Sequence, residues 1–86
     1  MNNGRKILII DDLEMNHAIL QDLLQDEYEL LSAMDGKEGI ELLNRYQKSI
    51  SLVLLDIVMP VMDGYQVLAV MKAKQWLDML PVICIS

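Results

Sequence analysis

Three short aliphatic runs, each closed by a polar side chain, constrain this chain more than any other feature. Lys6-Ile7-Leu8-Ile9-Ile10 ends at Asp11-Asp12, Ser51-Leu52-Val53-Leu54-Leu55 ends at Asp56, and Val82-Ile83-Cys84-Ile85 ends at Ser86. Runs without polar alternation suit strands covered on both faces, as in a parallel sheet. A weaker strand reads from Tyr28 to Ala33. Between the strands the apolar period changes to that of a helix. Ile19, Leu20, Leu23 and Leu24 share one face of a helix over 14–26,. Asp35 with Glu38 three residues on is a capping-box signal for a second helix, striped by Ile40, Leu43 and Tyr46 and ending near Gln47,. Gly39 weakens that helix. Ile57 to Gly64 reads as a loop, and Val67, Leu68 and Met71 line a third helix over 64–75, with Pro81 breaking the pattern before the last strand,. The order β-α-β-α-β-α-β implies right-handed crossovers and an open, doubly wound α/β fold. Its ligand site belongs outside the carboxyl ends of the strands, where the strand order reverses.

Those strand ends carry the chemistry. Parallel pairing brings Asp11, Asp12, Asp56 and Ser86 to one edge. Two carboxylates about 4 Å apart repel by roughly 4 kcal/mol at an effective dielectric of 20, so three together need a cation, a proton or a wider spacing. Oxygen-only ligands favour Mg2+, Mn2+ or Ca2+ over zinc. Mg2+ commonly takes one or two carboxylates plus phosphate oxygens, which leaves one carboxylate to attack phosphorus as a nucleophile. The cation then neutralises and orients the transferring group. The Ser86 hydroxyl is placed to hydrogen-bond the attached phosphoryl oxygens.

Composition narrows the partners. Thirteen acidic side chains against seven basic ones give 86 residues a formal net charge of −6, which argues against this segment wrapping nucleic acid,. Hydrophobic residues make up 53% of the chain, which excludes intrinsic disorder,. Runs such as Leu52 to Leu55 fall far short of the about 20 residues of a membrane-spanning helix. The apolar stretch after Arg5-Lys6 is too short for a signal peptide. A lone cysteine, Cys84, forms no internal disulfide, and no Cys/His metal spacing exists,. The expected setting is the cytoplasm.

With those residues in place, the chain resembles the receiver domain of bacterial two-component response regulators. The likeness rests on Ile7 to Asp12, on Leu52 to Gly64 and on Pro81 to Ser86, with Asn16, Ala33, Gly36 and Glu38 also fitting. The Asp-x-x-Met-Pro-x-Met-Asp-Gly stretch from Asp56 is its most specific part. The resemblance implies a flavodoxin-like receiver fold with strand order 2-1-3-4. It implies that Asp56 is the phosphoacceptor, taking a phosphoryl group from a histidine kinase or histidine phosphotransfer protein. Asp11, Asp12, Asp56 and the backbone carbonyl of Val58 would ligate Mg2+, with Mn2+ as a substitute. Ser86 would be the switch hydroxyl, and Pro60 and Gly64 would shape the loop. The domain would relay its signal to an output domain or partner as a phosphoprotein, not a turnover enzyme.

The resemblance also sets expectations about extent. Residues 1–86 read as the N-terminal part of a single, incomplete receiver domain. The usual fifth strand is absent, and so are its acceptor-pairing lysine and aromatic residue. Lys72 and Lys74 lie on the third helix and do not take the lysine's place. The fourth strand is then an exposed apolar edge, expected to pair two copies as a homodimer. Phosphorylation is expected to be inefficient, which keeps an alternative open: a degenerate or truncated receiver that acts only in association. A dehalogenase-type phosphohydrolase is disfavoured because Val58 stands where its second Asp belongs. A flavin-binding module is disfavoured because Asp-Asp-Leu-Glu-Met-Asn is no phosphate cradle.

Several residues have plain readings. His17 reads as a polar residue of the first helix, near a kinase-docking surface. Cys84 reads as a small buried core residue, and Tyr65 and Trp76 as partly exposed at the start and end of the third helix. The Glu27-Tyr28-Glu29 segment reads as a solvated edge.

Overall fold

The computed structural model describes residues 5–57 and 63–85. Val58, Pro60 and Ser86, three of the residues singled out above, lie outside the described residues. The elements follow the expected order: β1 (Lys6–Ile10), α1 (Glu14–Leu24), β2 (Glu29–Ala33), α2 (Gly36–Tyr46), β3 (Ile50–Leu55), α3 (Gly64–Ala73) and β4 (Val82–Cys84), with a single 3₁₀ turn at Trp76–Asp78 before β4. All pairings are parallel, and the strands lie side by side in the order β2-β1-β3-β4. The order reverses between β1 and β3, because the chain leaves β1 for one neighbour and crosses to the other.

The uninterrupted aliphatic character of β1 and β3 follows from this placement. Each central strand sends alternate residues to opposite faces, and both faces are covered. Leu8, Ile10, Val53 and Leu55 form one core with Leu43 of α2 and with Val67 and Met71 of α3. Ile7, Ile9 and Leu54 face the other way and pack against Leu20 and Leu24 of α1. The register slips once between Lys6 and Ile7 where β1 meets β3. Lys6 sits opposite Glu29, and its ammonium lies 3.2 Å from that carboxylate, a half-exposed pair of small energetic weight,.

The helix ends have local causes. The Asp35 side chain accepts from the Glu38 N–H at 2.8 Å, which starts α2. A reciprocal capping box, Asp63 with Gln66, starts α3,. Gly39 has a role that helix propensity misses: a Cβ there would stand 2.5 Å from Cδ1 of Ile10, so the bare glycine lets α2 close on β1.

Four expectations need correction. Ile19 and Leu23 are exposed, not part of the inner face of α1, because α1 presents Leu20 and Leu24 to the sheet together with His17. His17 is therefore buried rather than a solvent-facing polar residue of the helix. Trp76 is also buried. The chain reverses after α3 through Gln75, whose φ is +63°, and lays Trp76 and Leu80 into the α2/α3 core. Cys84 is exposed because, among the described residues, β4 pairs with β3 alone. Tyr65 is exposed, as expected for the start of α3. Glu27 and Glu29 are solvent-facing, but Tyr28 between them packs on the α1 side of the sheet.

Candidate functional site

Backbone hydrogen bonding places the strand-end acids before any side chain is considered. The Asp11 N–H donates to the carbonyl of Ala33 at 3.0 Å, and the Asp56 N–H donates to that of Ile10 at 2.9 Å. Each aspartate thus continues its strand by one rung, and the two flank the point where the strand order reverses. Asp12 follows Asp11 directly. One carboxylate oxygen from each of Asp11, Asp12 and Asp56 falls within 4.8 Å of the others. Asp11 and Asp56 are buried, at 1% and 8% exposure, and Asp12 is the most exposed of the three.

That closeness is energetically unfavourable for the protein alone. Two buried carboxylates within 4.8 Å repel by about 3 kcal/mol or more at an effective dielectric of 20,. Three oxygen donors with no nitrogen or sulfur among them suit a hard divalent cation, and the repulsion is what such an ion relieves. The donor set therefore fits Mg2+ or Mn2+.

Asp11 is held by more than the sheet. Its Oδ1 accepts from the Leu13 N–H at 2.9 Å, and its Oδ2 accepts from the Asn16 side-chain amide at 2.8 Å. The Leu13 bond stands in for a side-chain cap at the start of α1, where no capping side chain bonds,. The Asp11 carbonyl lies 2.8 Å from Nε2 of His17. Sequence reasoning noted Asn16 only as part of a resemblance and gave His17 a surface role. The signal for both was positional, since both fall in the first turn of the helix that leaves the Asp11-Asp12 strand end.

Gly64 begins α3 immediately beside Asp56. Its N–H donates to the Ile57 carbonyl at 2.8 Å, and a Cβ there would stand 2.6 Å from the Cα of Ile57 and 2.8 Å from the carbonyl oxygen of Asp56. Only glycine allows the helix to start this close to the strand end. The structure thus brings together Asp11, Asp12, Asp56 and Gly64, while Val58, Pro60 and Ser86 fall outside the described residues.

An open parallel sheet in the order 2-1-3-4, with an acidic cluster at the carboxyl edge of its switch point, defines a flavodoxin-like α/β domain of the receiver class. Comparison with known proteins agrees. Residues 7–86 match the family described as the response regulator receiver domain, and the chain belongs to that family. It is 41% identical over 80 residues to a probable cyclic di-GMP phosphodiesterase of Vibrio cholerae, an alignment covering 93% of this chain and 18% of that protein. It is 33% identical over 70 residues to the chemotaxis protein CheY of Halobacterium salinarum, covering 80% of this chain and 57% of that one. The chain therefore spans less than two thirds of these relatives. Among solved structures, the CheX-CheY-BeF3-Mg2+ complex of Borrelia burgdorferi superposes with a TM-score of 0.78 at 28% identity, covering 93% of this chain and 60% of that one. No helix among the described residues is long and apolar enough to cross a membrane.

Proposed function

We propose that this chain is a phosphoacceptor module of two-component signalling, working in the cytoplasm. Asp56 accepts a phosphoryl group from a histidine kinase or histidine phosphotransfer protein, and the change is relayed to an output domain or partner. The observation that supports this most is the meeting of Asp11, Asp12 and Asp56 at the switch point of a receiver-family sheet. In the transfer, an Asp56 carboxylate oxygen bonds to phosphorus as the phosphorus–nitrogen bond of the donor phosphohistidine breaks. The electron pair returns to the imidazole. Asp11, Asp12, Asp56 and the Val58 carbonyl would hold Mg2+, with Mn2+ as a substitute. An ion held by these residues would supply positive charge against the acceptor and the phosphoryl oxygens. The presence of Mg2+ and BeF3 in the similar Borrelia burgdorferi complex supports that choice of ion. Ser86 acts as the switch hydroxyl, and Pro60 and Gly64 set the path of the loop beside the acceptor.

The test is labelling of the purified chain by a phosphorylated histidine phosphotransfer protein in Mg2+, read by mass spectrometry of the intact chain. One phosphoryl group is expected on the wild type, and none on Asp56→Asn or after chelation. Labelling that persists in Asp56→Asn would overturn the assignment.

A second reading is favoured by β4. Among the described residues this strand is at the edge of the sheet, and its Ile83 is half exposed. Association of two chains along that edge would make the domain an assembly module. Sedimentation equilibrium distinguishes it: a dimer that Ile83→Lys dissociates supports this reading, and a monomer at all concentrations removes it.

A further inference from the structure

Asp11 has more partners than metal ligation requires. Its two carboxylate oxygens accept from Leu13 and Asn16, and its main-chain carbonyl accepts from His17. A carbonyl cannot donate, so the hydrogen of that bond resides on Nε2 of His17. Nδ1 of the same ring is buried and has no partner among the described residues. Nε2 is therefore the nitrogen through which the ring engages the main chain of Asp11,. With the ring only 7% exposed, water competes little for the bond.

This histidine is buried on the helix that covers an aliphatic sheet face. The sheet face beneath α1 is lined by Ile7, Ile9 and Leu54, and α1 meets it with Leu20 and Leu24. A buried imidazole with one nitrogen unsatisfied is costly in such surroundings. What it offers that leucine does not is a donor aimed at the main chain of Asp11.

We propose that Asn16 and His17 are positioning residues for the metal site. Side by side in the first turn of α1, they hold Asp11 at two points, its Oδ2 and its carbonyl. The carboxylate then meets a divalent cation already oriented, and less freedom is lost on binding. Neither residue touches the ion. The inference rests on the metal reading of the preceding section.

The experiment measures Mg2+ affinity by calorimetry and Mn2+ affinity by electron paramagnetic resonance on the whole chain, with metal-free thermal stability in parallel. Asn16→Ala and His17→Leu are each expected to weaken both ions about tenfold, the low end of what loss of such outer partners costs. His17→Gln keeps an N–H at similar reach and is expected to restore most of the affinity. Nitrogen NMR of the wild-type ring should show a protonated Nε2 and a bare Nδ1. A merely structural role would lower stability and leave affinity unchanged. Asn16 is only half buried, so Asn16→Ala decides the question if His17→Leu does not fold. Wild-type affinity in both Asn16→Ala and His17→Leu, or in Asn16→Ala where His17→Leu does not fold, overturns the positioning role alone. A wild type that binds neither ion overturns the metal reading, and the positioning role with it.

Discussion

The two faces of the sheet are built differently. On the α2/α3 face, Leu8, Ile10, Val53 and Leu55 are fully buried against Leu43, Val67 and Met71, and the turn after α3 adds Trp76 and Leu80. On the other face, among the described residues, α1 covers Ile7, Ile9 and Leu54, and it contributes Leu20 and Leu24 together with a buried histidine. The first face is dry and aliphatic, and hydrophobic burial there stabilises the fold. The second has less apolar cover and carries the polar contacts to Asp11.

The largest expected effect tests that division directly. Leu43 is completely buried at the centre of the α2/α3 core. Leu43→Ala should destabilise the chain by about 2–5 kcal/mol through lost burial and a cavity. Leu24 on the α1 face is only partly buried, and Leu24→Ala should cost about 1–2 kcal/mol,. Urea unfolding of both variants, without metal, measures the contrast. Equal losses would show that the two faces share the load.

A somewhat smaller effect is expected where the dry face meets the site. Gly64→Ala pushes a Cβ into the backbone of Asp56 and Ile57, contacts of 2.6–2.8 Å that no rotamer change relieves. The expected loss is about 1–3 kcal/mol. Because the displaced atoms belong to the Asp56 segment, Mg2+ affinity should fall as well. Gly39→Ala meets the buried Ile10 side chain, Cδ1 at 2.5 Å and Cγ1 at 2.9 Å, rather than the backbone of the Asp56 segment. It should lower stability and leave the ion affinity alone, which separates packing from site geometry.

How much of this was legible in the sequence differs between the faces in the same way. The aliphatic runs of β1 and β3 specified a doubly covered parallel sheet, because such runs are stable in few other settings. The strand-end position of Asp11, Asp12 and Asp56 followed from that pairing alone. The rotation of α1 did not follow. Hydrophobicity counts Ile19, Leu20, Leu23 and Leu24 alike, but the helix turns so that His17 and Asn16 reach Asp11, and this moves Ile19 and Leu23 outward. A polar contact across a turn carries no periodic signal. Trp76 was misplaced for a related reason: its burial depends on a left-handed residue, Gln75, that propensity does not announce.

That turn supplies the next test, about 1 kcal/mol in size and opposite in sign. Gln75 holds φ at +63°, a conformation that L side chains adopt at a cost of about 1–2 kcal/mol and that glycine adopts freely,. Gln75→Gly should therefore stabilise the chain by about 0.5–1 kcal/mol after its greater unfolded-state entropy is counted. The gain belongs to the dry face, since this turn directs Trp76 and Leu80 into the core. It should raise the urea midpoint without changing Mg2+ affinity.

The smallest effect is expected on the outer side of α1. Met15, Ile19 and Leu23 recur at four-residue steps and are all more than half exposed,. Among the described residues, little of their surface is removed from water. Leu23→Gln should consequently shift stability by no more than about 0.5 kcal/mol. It should also leave ion affinity intact, since Leu23 is no part of the inner packing that carries Asn16 and His17. A loss as large as that of Leu24→Ala would mean that α1 is seated in a different rotation. The bond between His17 and the Asp11 carbonyl would then have to be abandoned with it.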